Sequence, residues 1–164
     1  MFELKPLSQE AIGAALKKVE RYRLLAEPWE AESICRDILA VDPENQEALR
    51  ELIGAIAQQI GSGVGGDVSE AARLVARLQS EFDREYYSGI VMERRAKELL
   101  AHGTLGAGPA VFDLLRKAME CYDRAQATSR PGDDSAILRW NTCARIIMQN
   151  NLKPAPGPPS GRRS

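Results

Sequence analysis

The residues best able to do chemistry are few, and their spacing is informative mainly for what it fails to complete. Gly61-Ser62-Gly63-Val64-Gly65-Gly66 matches G-x-G-x-x-G. In a dinucleotide site such glycines let the backbone approach a pyrophosphate at a helix N-terminus. That reading requires a strand before the motif. Here the motif follows the helical pattern Leu49–Ile60 and no β-α-β text comes after it, so a flexible turn is expected. The single histidine, His102, precedes Gly103. Near a helix end it would hydrogen-bond terminal carbonyls and favour the negative end of the dipole. One histidine gives no zinc spacing. Pairing with Cys35 as a nucleophile dyad is the remaining catalytic option, and both positions read as structural.

Cys35, Cys121 and Cys143 are odd in number and form no Cys-x-x-Cys pair. Each lies in an apolar helical pattern, where a free thiol behaves as a small hydrophobe in a reducing compartment. Carboxylates are scattered: Glu81, Asp83 and Glu85 at an element end, Asp133-Asp134 in a cap. Neither group has the apolar setting that raises a carboxyl pKa for acid catalysis. Arg94, Arg95 and Lys97 alternate with Glu93 and Glu98, which suggests ion pairs on a helix surface. The sequence therefore predicts no enzyme, no cofactor and no metal site.

Positioning elements follow from a period of 3.6. Ile12, Ala15, Leu16, Val19, Tyr22 and Ala26 share one face, as do Ala31, Ile34, Cys35, Ile38 and Leu39. Leu49, Leu52, Ile53, Ile56, Ala57 and Ile60 make a third stripe, and Ala71, Ala72, Val75, Leu78 and Phe82 a fourth. Later stripes run through Met92–Leu100, Phe112–Ala125 and Ala136–Ile147. No segment alternates as a half-buried strand does. Breaks fall at Pro28, at Asp42-Pro43, at Gly103–Pro109 and at Pro131–Asp134. Asp67-Val68-Ser69-Glu70 reads as a capping box. About seven helices are expected, with residues 67–102 forming one helix or two. Trp140 lies on an apolar face and reads as core. Trp29 reads either as a packed staple or as an exposed anchor, and the usual burial of large apolar residues favours packing.

The 164 residues suit one domain, at 1–150, able to bury a core without metal or disulfide help. Residues 151–164 are expected to be a disordered Pro/Gly-rich basic tail. They carry Lys153, Arg162 and Arg163 and no acid; removing that +3 from the net charge of −1 leaves the body at −4. An acidic body argues against binding a phosphate backbone, so no nucleic-acid partner is expected. With neither a leader pattern nor an apolar run of about 20 residues, a cytoplasmic protein without membrane contact is expected.

Residues 12–49 resemble one tetratricopeptide repeat. Pro43 matches the proline that ends the motif, Ala31 the small residue of its second helix, and Val19 and Tyr22 core positions of its first. Glu30-Ala31 and Ala40-Val41-Asp42-Pro43-Glu44-Asn45 read much like the family's text. Later units are degenerate: Ala71 with Val75 and Leu78, then Ala118 with Tyr122 and Ala125. Ala31, Ala71 and Ala118 are spaced by 40 and then 47 residues, longer than the family's period of about 34. Extra length would enter at Gly61–Gly66 and Gly103–Gly108. The resemblance implies an all-α fold of antiparallel helix-turn-helix repeats in a short right-handed solenoid, with a generic helical bundle as the competing fold. It also implies a non-catalytic scaffold binding a peptide or partner helix in a concave groove. A structural assembly subunit with a tethering tail is the alternative, and oligomeric state stays open. The resemblance puts Leu16, Glu20, Arg23, Arg50, Gln58, Glu93 and Lys97 on the groove. Leu16, Glu20 and Glu51 replace the Lys and Asn residues of the family's carboxylate clamp, so binding of acidic C-termini is not expected.

Overall fold

A computed structural model describes residues 1–159 and Gly161. Ser160, Arg162, Arg163 and Ser164, assigned above to the basic tail, lie outside the described residues. A 3₁₀ turn at Gln9–Ala11 leads into α1 (Ile12–Leu24), α2 (Pro28–Val41), α3 (Gln46–Gln58), α4 (Val68–Val75), α5 (Glu81–His102), α6 (Gly108–Ala127) and α7 (Ser135–Gln149). The described residues contain seven α-helices and no strand.

Local chemistry sets the ends. Asn45 accepts from the Ala48 amide at 2.9 Å, and Asp67 accepts from the amides of Ser69 and Glu70. Glu70 does not complete the capping box, because its carboxylate is turned to Arg36. α1 closes with a Schellman motif: the Glu27 amide donates to Tyr22 O at 2.8 Å and the Ala26 amide to Arg23 O. That geometry puts Ala26 at φ 57°, so it is the C-terminal cap residue and not part of the buried stripe. α7 closes in the same way. Leu152 donates to Ile147 O, Asn151 stands at φ 50°, and Leu152 packs back onto the body.

Of the one helix or two expected over residues 67–102, there are two, and the break falls at 76–80. Ser80 starts α5 by accepting from the Asp83 amide at 3.2 Å. Leu78 is buried in the connection, and Phe82 belongs to α5. Trp29 is 61% exposed, together with Leu24 and Leu25, because the second position of α2 projects from the turn.

Neighbouring helices along the chain pack on one another, and α1 also touches α3, as α3 touches α5. Ala31, Ala71 and Ala118 are fully buried. The core has two parts. Val19, Cys35, Ile38, Leu49, Ile53 and Leu78 belong to the first, built on α1–α4. Val111, Leu115, Tyr122, Ala136 and Cys143 belong to the second, built on α5–α7. α5 serves both: Ile90 packs against each. At Gly89 the Tyr122 ring lies so close that a Cβ would stand 2.5 Å from its Cε1.

Candidate functional site

Five of the residues expected on the groove lie on α1 and α3, and three of them, Arg23, Arg50 and Gln58, are bonded across helices. The Arg23 guanidinium donates to Glu51 Oε2 at 2.8 Å and to Gln58 Oε1 at 3.4 Å. It lies against Gly54 of α3, where a Cβ would come within 2.8 Å of its Cζ. Arg50 pairs with Asp83 at 3.1 Å, and Arg94 donates to Gln58 O at 3.4 Å. Tyr87 sits beside this ladder. Burial pushes its phenol up to about 12, and the nearby Glu51 carboxylate adds to the shift. Leu16 is half-buried against the first cluster, while Glu20 is exposed.

Glu93 and Lys97 do not join this surface. Glu93 is only 2% exposed and faces α6 and α7. Its Oε1 accepts from the Tyr122 hydroxyl at 3.1 Å and lies 3.6 Å from Cys143 Sγ. Its Oε2 accepts from Lys97 Nζ at 2.7 Å and from Arg139 Nη1 at 3.0 Å. Lys97 is thereby committed to Glu93. The face of α5 that meets α3 instead carries Asp83, Tyr87 and Arg94, three residues the sequence reading did not select. Their spacings of four and seven are the signal that could have found them.

A second buried polar group joins α2, α3 and α4. Gln59 Nε2 donates to Glu32 Oε2 at 3.1 Å, and Arg36 bridges Glu32 and Glu70. Beside it a cleft of about 480 Å³ opens between α2 and α4, rimmed by Arg36, Arg73 and Arg77 above Leu39, Leu52 and Leu74. Arg77 donates to Pro43 O at 2.6 Å.

Among the described residues, the thiols and the histidine singled out in the sequence are not brought together. Burial pushes the Cys35 and Cys143 thiols up to about 12, helped by Glu51 and Glu93 respectively, and burial also raises Cys121. Such thiols are protonated at neutral pH and poor nucleophiles. Cys35 is fully buried, whereas the exposed His102 has Glu98, at 3.9 Å, as its ionic neighbour. Gly61, Gly63, Gly65 and Gly66 all have positive φ. The loop folds back on the end of α3, with Glu98 against Gly61 and the Gln59–Ile60 peptide against Gly66. Asp67 already occupies the first amides of α4, so a side-chain carboxylate stands where a phosphate would sit. Among the described residues no group of His, Cys, Asp or Glu side chains is arranged to hold a metal ion. Nor is any helix among them long and apolar enough to cross a membrane. No protein-family model, curated protein or solved structure matches the chain.

Proposed function

We propose that the chain is a non-catalytic interaction module of the tetratricopeptide-like kind, binding a peptide or partner helix along the face shared by α1, α3 and α5. The observation that supports this is the packing of α1 on α3 and of α3 on α5, which gives these three helices a common surface. Glu20, Arg23, Arg50 and Gln58 stand on that surface, joined by Asp83 and Tyr87 in place of Glu93 and Lys97. Its charges have both signs, which suits a polar or amphipathic segment better than a phosphate backbone. The three buried free thiols favour a reducing compartment, hence a cytoplasmic location. The test is partner capture with the full chain and with Arg23→Glu and Arg50→Glu, each verified to keep its helicity. Loss of the captured protein in both variants supports the groove. Normal capture by both, with loss on deleting residues after Gln149, refutes it.

A second reading, an assembly subunit, draws on the apolar side chains exposed at both ends of the array. Leu24, Leu25 and Trp29 flank the first turn, and Leu138 and Met148 lie on α7. Light scattering separates the readings. A monodisperse monomer favours the groove, and an oligomer that persists on dilution favours assembly.

A further inference from the structure

The closure of α7 delivers the segment after it to solvent at a fixed point. Asn151 takes the left-handed conformation that ends the helix, and Leu152 is held by its bond to Ile147 O and by packing on the second cluster. From Lys153 to Pro159 every residue is exposed, with neither helix nor strand. Four of these seven are proline: Pro154, Pro156, Pro158 and Pro159. Each proline fixes φ near −65° and lacks an N–H, so the stretch favours a polyproline II helix whose backbone stays solvated.

That helix repeats every three residues. Lys153, Pro156 and Pro159 are spaced by three and three, so they align along one edge. A row of prolines led by a cation is complementary to a groove lined with aromatic side chains that ends in an acidic pocket. The preset backbone lowers the entropy cost of docking, and the lysine supplies selectivity. Lys153 takes part in none of the ion pairs found among the described residues, so its charge is available. We propose that residues 153–159 are a recognition segment for a protein domain of the proline-reading kind, one whose aromatic groove carries carboxylates opposite Lys153. This is independent of the groove on α1, α3 and α5.

The test titrates the full chain into a panel of isotope-labelled SH3-type domains with aromatic grooves and acidic pockets. WW-type domains lacking the acidic pocket serve as comparators. Saturable shifts of groove aromatic resonances are expected in the first group. Lys153→Glu should weaken that binding by about tenfold, and Pro156→Ala with Pro159→Ala should abolish it, with unchanged helicity in both variants. Absence of shifts across the SH3-type panel overturns the proposal. So does binding that survives the double proline substitution, and so does a Lys153→Glu variant that binds as well as the parent chain.

Discussion

Replacing Glu93 by glutamine keeps the shape of the side chain and removes its charge, so the cost reports what the buried carboxylate does. The Tyr122 hydroxyl can still donate to the amide oxygen. The new amide NH₂, however, faces Lys97 and Arg139, two donors, in the place of an acceptor. Those cations are about a third or more exposed, at 34% and 40%, and can recover water, so each lost ion pair costs at most about 1 kcal/mol. The stranded buried NH₂ costs about 1–3 kcal/mol. Together the loss should be about 2–3 kcal/mol, which for a chain of this size lowers Tm by roughly 5–10 °C. Glu93→Leu should cost more, about 3–5 kcal/mol, because the fully buried Tyr122 hydroxyl then has no acceptor. Urea unfolding followed by circular dichroism at pH 7 measures both. A Glu93→Gln variant within about 0.5 kcal/mol of the parent would refute the reasoning, since an ordinary surface substitution does no more.

The raised thiols make stability fall in alkali. Cys35 and Cys143 titrate near 12 in the fold against 9.0 when free, so from about pH 9 the unfolded chain releases protons that the fold retains. The stability these two thiols contribute is then fully present below pH 9 and should decline by up to about 2.7 kcal/mol per pH unit as pH approaches 12; Cys35→Ala with Cys143→Ala should reduce the slope in urea titrations, leaving the part due to the raised Cys121 and Tyr87. Ala31→Leu should destabilise by about 1–3 kcal/mol through overpacking, since Ala31 is fully buried on α2; an unchanged melting temperature would refute its place between paired helices. Ala26→Gly should stabilise by about 1 kcal/mol, because glycine tolerates φ 57° at no steric cost; calorimetry showing a lower Tm would contradict that cap. Gly89→Ala should cost about 1–3 kcal/mol by the same unfolding assay, because the Tyr122 ring it meets is tied to Glu93 and cannot retreat.

The helices were legible because apolar residues recur every three or four positions and Pro28, the Asp42-Pro43 break and Asp67 mark their bounds. The break at 76–80 was not, since Leu78 and Phe82 are four apart and imitate a continuing turn, with no Gly or Pro between them. Burial of the cysteines followed from their stripes. Burial of Glu93 did not, because a charged residue in a Glu/Arg/Lys run reads as solvated. Its partners Tyr122, Arg139 and Cys143 are 29, 46 and 50 residues away, so only the meeting of α5, α6 and α7 makes the site. One local hint existed: Gly89, Glu93 and Ala96 fall at i, i+4 and i+7, which places an acid on an apolar stripe. Of the seven residues expected on the groove, Leu16, Glu20 and Arg23 lie on α1, and Arg50 and Gln58 on α3. Glu93 and Lys97 lie on α5, the helix that buries two faces and therefore shows no single stripe from which to read a register.

The same difference separates the two kinds of charge in the molecule. Glu93 and Glu32 are buried, Glu93 tying α5 to α6 and α7 and Glu32 tying α2 to Gln59 at the end of α3, so they constrain the fold. Arg23–Glu51 and Arg50–Asp83 are partly exposed, and pairs of that kind contribute little stability. Their effect is on order. Arg23 is laid over Gly54 and donates to two acceptors, which biases its long side chain toward one conformation before any partner arrives. A segment laid on α1, α3 and α5 would meet charges fixed in place and would avoid that part of the ordering cost. It would also have to match the alternation of signs from Arg23 through Glu51 and Arg50 to Asp83, because a like charge set against a held one is repelled without relief. If the proposed reading holds, such a surface would discriminate more than it binds tightly, whereas residues 153–159 would draw their order from proline backbones and need no supporting ladder.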